Sequence, residues 1–552
     1  MKKNSSVFIL SIGIIAGTLI GFFKSGIIGK FSEIISNRYF SYGSFRIIWL
    51  KLQPFLLEWL IYTLATSILF LFIVFSIRKK RIVERVLNKG KSRRRINFIS
   101  ITALVIFTFL CVVNITSTLV SVSGSGKGPN IIIIVVDALR EDTLGANGYK
   151  RDTSPNIDEF AERSVVFKNA YSSSSWTKPA VASLFSSLDP IKHNTLSKND
   201  GFPDAVHTLT EILNNKGYNT YFLGGGNHFL GKHFNFNQGF NYYFNKRSDA
   251  AELTERFISL LPELKKGKFF TYLHYMDTHL PYGKNKYNYL FSGKKKINKL
   301  LPGKIFRWTV NKLKKKKELT PDDKKYLRDL YDGQVRYVDE NIGKLLDVFK
   351  QELLLNNTLV IITSDHGEEF WDHNGFEHGH SLYNELIHIP LIIGGKGLGP
   401  SVKEKSVRII DIFPTVLKVT KTPLPEFDID GTSFKRKLSG GDAGVDLTVF
   451  ASGILYGNNK YCLVQNKKKI ILNTFNKNVR TRPDFRAYKF FEYYDLSLDS
   501  KEARNLSEIK KTETSKQVKI LKKYILADPA FNKKKVRLDK KIRDRLKSLG
   551  YI

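Results

Sequence analysis

"NIIIIVVDALR" (Asn130–Arg140) is the stretch that decides the fold. Six β-branched apolar residues follow one another with no polar alternation, so a strand made of them needs cover on both faces. That is the pattern of a central strand in a parallel sheet, and it ends in an acid, Asp137. In open α/β sheets the carboxyl edge of such strands is where sites form. The same design recurs in "NTLVIITSDHGEEF" (Asn357–Phe370), an apolar strand that delivers Asp365 and His366. Between the two, apolar periodicity predicts amphipathic helices over Ser154–Arg163, Ala205–Lys216 and Pro321–Lys350. Alternating strands and helices predict a doubly wound, mostly parallel α/β sheet. From about Thr448 the pattern changes to short alternating strands, "KYCLVQ", "KKIILNTF" and "AYKFFEYYDL". These predict a small antiparallel subdomain, closed by a helix that ends "IRDRLKSLGYI".

Upstream lie three apolar runs, at about residues 7–23, 55–77 and 98–120, each long enough to cross a bilayer as a helix. Arg78–Arg95 carries ten basic residues and one acid, against five basic residues between the first two runs. An excess of Lys and Arg marks the cytoplasmic side, so everything after the third run is expected outside. The expected organisation is a membrane domain at 1–123, a Ser/Gly linker at 124–129, a catalytic domain at 130–447 and a C-terminal subdomain at 448–552. The net charge of +37 invites a nucleic-acid partner. No recognition motif accompanies it, and an outward-facing domain rarely meets nucleic acid.

Part of that charge sits in a basic insertion at 283–318, including "SGKKKINKLLPGKIFRWTVNKLKKKKE" (Ser292–Glu318). Ile305, Trp308 and Leu313 form a stripe flanked by lysines, the pattern of an interfacial helix suited to a membrane lipid or an anionic envelope polymer. A solvated lysine-rich excursion is the plainer alternative. Only Cys111 and Cys462 occur, the first inside an apolar run, so no disulfide framework is expected.

The chemistry-bearing residues are Asp137, Thr177 and the Asp365–His366 pair. Two carboxylates, an imidazole and a hydroxyl suit one divalent ion, Mn²⁺ or Zn²⁺ ahead of Ca²⁺ or Mg²⁺. Thr177 stands in "SSSSWTKPAVASL" (Ser172–Leu184), two residues before Pro179. That spacing predicts an N-cap threonine, and the positive end of the helix it opens suits an anionic ester.

Several ordered stretches carry a resemblance. They are "NIIIIVVDALREDTLGANGY", "TSPNIDEFAERSVVFKNAYSSSSWTKPAVASLFSS", "YVDENIGKLLDVFKQELLLNNTLVIITSDHGEEFWDHNGFEHGHSLYNELIHIPLII", "YYDLSLDSKEARNLSE" and "LKSLGYI". From Asn130 onward the chain resembles the sulfatase branch of the alkaline phosphatase superfamily. The resemblance implies an alkaline-phosphatase-like fold and a metal-dependent hydrolase or transferase that attacks sulfate or phosphate esters through a covalent intermediate. It aligns "TKPAV" with the family's Cys/Ser-x-Pro-Ser-Arg, which puts Thr177 at the nucleophile position and Val181 at the arginine. Sulfatases convert that Cys or Ser to formylglycine, which is not expected of a threonine. Ala138 takes the place of a second aspartate, and His366 that of an asparagine.

These departures resemble lipoteichoic acid synthases and phosphoethanolamine transferases, which use a threonine beside one Mn²⁺ or Zn²⁺ and carry amino-terminal membrane spans. Those proteins commonly have Glu at the position of Asp137. The implied roles are Thr177 as nucleophile and metal ligand with Asp137, Asp365 and His366, and His378 as the acid for the leaving group. His279, His380 and Lys178 are the expected substrate contacts, with His274 ranked behind His279. Asn227 and His228, in "GGGNHFLGKHFNFNQGF" (Gly224–Phe240), are minor candidates, and His373 is divided between the site and a surface loop. The expected function is a membrane-anchored enzyme, its catalytic domain extracytoplasmic, acting on a phosphoester of a lipid or envelope glycan. A sulfuric ester hydrolase and a catalytically inactive binding module are the alternatives.

Overall fold

The computed structural model describes residues 128–548, apart from 284, 294–298, 396, 439–445, 475–489, 528–529 and 537. The three expected membrane spans lie outside these residues. Among the described residues no helix is long and apolar enough to cross a membrane.

The central sheet is built from β1 (Asn130–Val136), β2 (Val165–Tyr171), β3 (Asn219–Gly224), β4 (Tyr242–Asn245), β5 (Phe269–Tyr275), β6 (Thr358–Thr363), β7 (His388–Gly395), β8 (Ser401–Lys403) and β9 (Val407–Arg408). Its order is β8–β2–β7–β6–β1–β5–β3–β4, with β9 also paired to β2. Among the described strands of this sheet, only β7 runs antiparallel to its neighbours, β6 and β2. The remaining pairings are parallel.

The uninterrupted apolar run of β1 is explained by its place. It has a hydrogen-bonded strand on each side and a helical layer on each face. Ile131, Ile133 and Val135 enter one core, with Val181, Leu184 and Phe185 of α2 (Thr177–Ser186), Leu209 and Leu213 of α3 (Leu209–Asn215), and Phe413 and Val416 of α7 (Ile412–Val419). Ile132, Ile134 and Val136 enter the other, with Ile157 and Phe160 of α1 (Pro155–Glu162), Leu253 and Phe257 of α4 (Ala250–Ser259), and the apolar face of α6 (Pro321–Gln351). Each of these fully buried isoleucines contributes about 1.5–3 kcal/mol.

Helix starts follow side-chain capping. Thr320 and Asp323 form a reciprocal capping box ahead of α6, with Pro321 in its first turn. Thr208 and Glu211 do the same for α3. The helix expected from Ala205 therefore begins four residues later, because Thr208 must stay extended to cap it.

The basic insertion also departs from expectation. In α5 (Arg307–Lys315) Val310 and Leu313 are buried, as is Ile305 just before it. They join the core beneath α6. Trp308 alone of the expected stripe faces outward, 57% exposed. The apolar face was thus built to dock the insertion on its own domain.

The C-terminal subdomain is the expected antiparallel sheet, β10 (Val449–Ser452), β11 (Lys460–Gln465), β12 (Lys468–Asn473) and β13 (Phe491–Asp495) in that order. Leu521 and Tyr524 of an unforeseen helix, α8 (Lys511–Leu526), pack on one face of it. A second helix, α9 (Lys540–Ser548), follows where the sequence placed one.

Candidate active site

Strand register assembles the site. Val135 pairs with Thr363 of β6 and with His274 of β5. Two residues further on, Asp137 and Asp365 leave adjacent strands side by side. Ser364 ties the two ends together. Its hydroxyl donates to Val136 O at 2.8 Å and accepts from Leu139 N at 3.0 Å. The chain turns sharply after Asp137, with Ala138 at φ 57°. A non-glycine residue there costs about 1–3 kcal/mol and is held by its surroundings. Tyr331 supplies part of that hold, donating its hydroxyl to Ala138 O at 2.8 Å.

Thr177 is the first residue of α2, and the N-cap position belongs to Trp176. The expected capping role is therefore not the one seen. Its hydroxyl points instead to the strand ends, 3.2 Å from Asp137 Oδ2 and 3.4 Å from His366 Nε2. The ring of His366 is oriented by Nδ1, which donates to Gly367 O at 2.8 Å and leaves Nε2 as the lone-pair nitrogen. Asp137 Oδ1 and Asp365 Oδ2 each lie 3.6 Å from that nitrogen. Both oxygens are buried and have no hydrogen-bond partner among the described residues.

Burial and the neighbouring Asp137 push the Asp365 carboxyl above its usual range. Burial acts the same way on Asp137. The hydrogen bond from His274 and the surrounding imidazoles outweigh it and hold that carboxyl well below the usual range. Two orphaned carboxylate oxygens, an imidazole lone pair and a hydroxyl converge on one buried point. These donors fit a divalent cation, which would relieve the desolvated carboxylates. Asp137, Thr177, Asp365 and His366 are thus brought together as the sequence placed them.

Two side chains join them that the sequence ranked low. His274 Nε2 lies 3.0 Å from Asp137 Oδ2, and its Nδ1 is 2.9 Å from the Tyr272 hydroxyl. Asp137, His274 and Asp365 can offer metal-binding atoms within 4.8 Å of one another. Asn227 Nδ2 donates to Asp137 Oδ2 at 2.9 Å and to Thr177 Oγ1 at 3.2 Å. The signal for His274 was present: "FFTYLHY" is a third apolar strand ending beside a ligand-type residue.

A row of imidazoles extends from this point. The His366 and His378 rings are 4.4 Å apart, and those of His378 and His279 are 4.9 Å apart. His378 Nδ1 lies 3.2 Å from Glu368 Oε1. Burial, then His366 and His279, hold His378 well below its ordinary value. Burial and Glu377 push the Glu368 carboxyl well up.

His279, Glu377 and His378 form a second group with metal-compatible spacing. It already has a cation beside it, because Arg307 of α5 ion-pairs with Glu377. Arg307 also donates to the Phe376 and His378 carbonyls, at 3.2 and 3.3 Å. Nothing in its lysine-rich context singled it out. Val181, at the family's arginine position, is fully buried in the apolar core.

Two expected substrate contacts are occupied elsewhere. Lys178 is fully buried and donates to the carbonyls of Ser197, Lys198 and Asp200 at 3.3, 2.7 and 3.0 Å. Its ammonium sits 3.4 Å from the Phe234 ring centroid, and burial lowers its pKa strongly. It secures the start of α2 against the following loop. His380 Nε2 is paired with Glu369 at 2.6 Å. His373 belongs to neither expected setting. It pairs with Glu385 at 2.7 Å, stacks on Tyr383 and bonds Glu502 O at 3.2 Å, tying the active-site loop to the C-terminal subdomain.

Comparison with known proteins agrees with this fold. Over 351 residues the chain is 25% identical to the uncharacterized sulfatase YidJ of Escherichia coli, covering 54% of this chain and 69% of that one. It is 22% identical over 477 residues to an arylsulfatase of Clostridium perfringens, covering 72% and 94%. The fold matches the phosphonate monoester hydrolase of Agrobacterium radiobacter with a TM-score of 0.57 and 17% identity, over 72% of this chain and 96% of that one. It matches BT4656, solved with its substrate D-glucosamine-2-N,6-O-disulfate, with a TM-score of 0.59 and 19% identity, over 72% and 97%. The Sulfatase family model covers residues 129–422, more than half the chain, and the protein belongs to the sulfatase family of the alkaline phosphatase superfamily.

Proposed function

We propose that this sulfatase-family protein is a metal-dependent phosphoester hydrolase or phosphotransferase in which Thr177 forms the covalent intermediate. The observation that carries the proposal is the position of the Thr177 hydroxyl, 3.2 Å from Asp137 and 3.4 Å from His366 at the amino end of α2. Asp137, Asp365 and His366 would hold the cation, with Mn²⁺ or Zn²⁺ best suited to a mixed carboxylate, imidazole and hydroxyl set. When bound, such an ion lowers the pKa of a hydroxyl and offsets charge that develops on a phosphoryl oxygen.

The residues of the chain do the rest. Asn227 Nδ2 orients Thr177 Oγ1, and the start of α2 favours an anionic ester. Oγ1 gives up its proton to water and bonds to phosphorus as the bond from phosphorus to the leaving oxygen breaks. The leaving alkoxide takes up a proton from water on the side of His279 and His378. Water or an acceptor alcohol then cleaves the phosphothreonine and regenerates the hydroxyl. Membrane anchoring through residues 1–123, an outward-facing domain, and a lipid or envelope glycan as substrate complete the proposal.

Sulfuric ester hydrolysis is the second reading, favoured by the arylsulfatase similarity. Thr177 and Val181 stand against it, since neither supplies the formylglycine or the arginine of that chemistry. Matched nitrophenyl phosphate and nitrophenyl sulfate, assayed on the full chain and on Thr177→Ala, separate the two. Phosphate turnover lost in Thr177→Ala supports the proposal. Sulfate turnover that survives the substitution overturns it.

A further inference from the structure

The motif "GGGNHFLGKHFNFNQGF" has one residue, Asn227, in the catalytic centre, and the rest of it builds a cavity on the other side of that residue. The cavity measures about 420 Å³ and lies past the carboxyl ends of β3 and β4. Asn227, His228, Lys232, His233, Asn245 and Lys246 are among its lining residues. Four of these six are cations or imidazoles, and among the described residues no carboxylate lines the cavity. Burial, then His228 and Lys178, lower the His233 pKa to about 4, with Asp539 opposing them from outside the lining, so the cavity's positive charge comes from its lysines. Neither Lys232 nor Lys246 has an acidic partner among the described residues. His233 Nε2 is buried and without a hydrogen-bond partner among the described residues.

The wall shared with the active site is a built one. The Asn245 side chain accepts from Gly226 N at 3.1 Å and donates to Asn227 O at 2.7 Å. A β-carbon on Gly226, at φ 96°, would meet Arg247 N at 2.6 Å, and one on Gly231 would meet the His233 ring at 2.3 Å. Both glycines are therefore needed for the loop to bring His233 into the lining and Asn227 to Thr177.

We infer that this cavity binds a second tetrahedral oxyanion, phosphate or sulfate, carried on the substrate next to the ester that Thr177 attacks. A positive cavity with no carboxylate in its lining and an unpartnered imidazole nitrogen suits such a group, and a pocket of this size takes it with part of its linker. The inference rests on the catalytic reading above and narrows its substrate to esters bearing a neighbouring anionic group.

The test uses the full chain with metal in excess and nitrophenyl phosphate as reporter. Propane-1,3-diol bisphosphate is compared with propyl phosphate as competitor. The expected result is about tenfold tighter inhibition by the bisphosphate, as linked binding at two sites gives. In Lys232→Gln/Lys246→Gln that advantage falls to about twofold or less, with kcat for nitrophenyl phosphate unchanged. The corresponding bissulfate and propyl sulfate show whether the second group is read as phosphate or as any oxyanion. No advantage in the wild type, or an advantage that persists in the variant, overturns the inference. If nitrophenyl phosphate is not turned over, the catalytic reading fails. Calorimetric titration of the same two competitors into wild type and variant then decides the cavity by the same ratio.

Discussion

On the proposed reading the Thr177 hydroxyl, 3.2 Å from Asp137, is the attacking group, and substitutions should separate chemistry from architecture. Thr177→Ala removes the attacking atom but no core volume beyond a few atoms. Turnover is expected to fall by about 10³-fold or more, with thermal stability nearly unchanged. Thr177→Ser keeps a hydroxyl at the same point and should retain measurable activity. His373 offers a different test. Burial alone would lower its pKa, but the Glu385 carboxylate and Glu502 raise it to about 9. A pKa raised on folding stabilises the native state fully below the unfolded value near 6.5 and loses that contribution as pH rises through 9. Burial also keeps Glu385 above its usual range, which offsets part of the gain. The net effect is roughly 1–2 kcal/mol. Melting curves of wild type and His373→Gln should therefore differ most at pH 6 and converge near pH 10.

Elements position these residues, and here the sequence was informative to different degrees. The two continuous apolar strands ending in acids were legible because burial on both faces leaves no polar alternation. Parallel register then placed Asp137 beside Asp365 without further help. The third strand with this layout carries its imidazole one position before its end, at His274, where a buried strand histidine reads as packing. The insertion was misread for a related reason. Periodicity identifies the apolar side of α5 but not what it faces, and Val310 and Leu313 face the domain core. Arg307 was invisible among lysines, although its ion pair with Glu377 joins α5 to the active-site loop. Arg307→Ala leaves Glu377 buried and unpaired and should cost about 3 kcal/mol of stability. Arg307→Ala/Glu377→Gln should regain most of that loss in chemical denaturation, an outcome expected only if the pair anchors the insertion.

At the scale of the whole molecule, the sheet brings together two buried carboxylates, each with one oxygen that lacks a hydrogen-bond partner among the described residues, and on the proposed reading a cation relieves them. Metal should therefore stabilise the fold as well as enable reaction. Binding at a free concentration one hundred times Kd adds about 2.7 kcal/mol. Chelation is expected to lower the melting temperature of the wild type and to leave that of Asp365→Asn little changed, with bound metal falling from one per chain to well below one. Within the described residues the α/β class and the C-terminal antiparallel sheet were legible, because strand and helix periods are local. Lys178 and His380 were not, because their partners come from separate segments and loop geometry alone decides where their side chains end.

The proposed covalent step can be tested directly. The full chain is mixed with excess phosphoester, quenched in acid, digested, and the peptide containing Ser172–Leu184 is examined by mass spectrometry. The account predicts a phosphoryl group on Thr177, absent from Thr177→Ala and lost on further incubation before the quench. A sulfuryl group on Thr177, or turnover with the adduct on another residue, would contradict it.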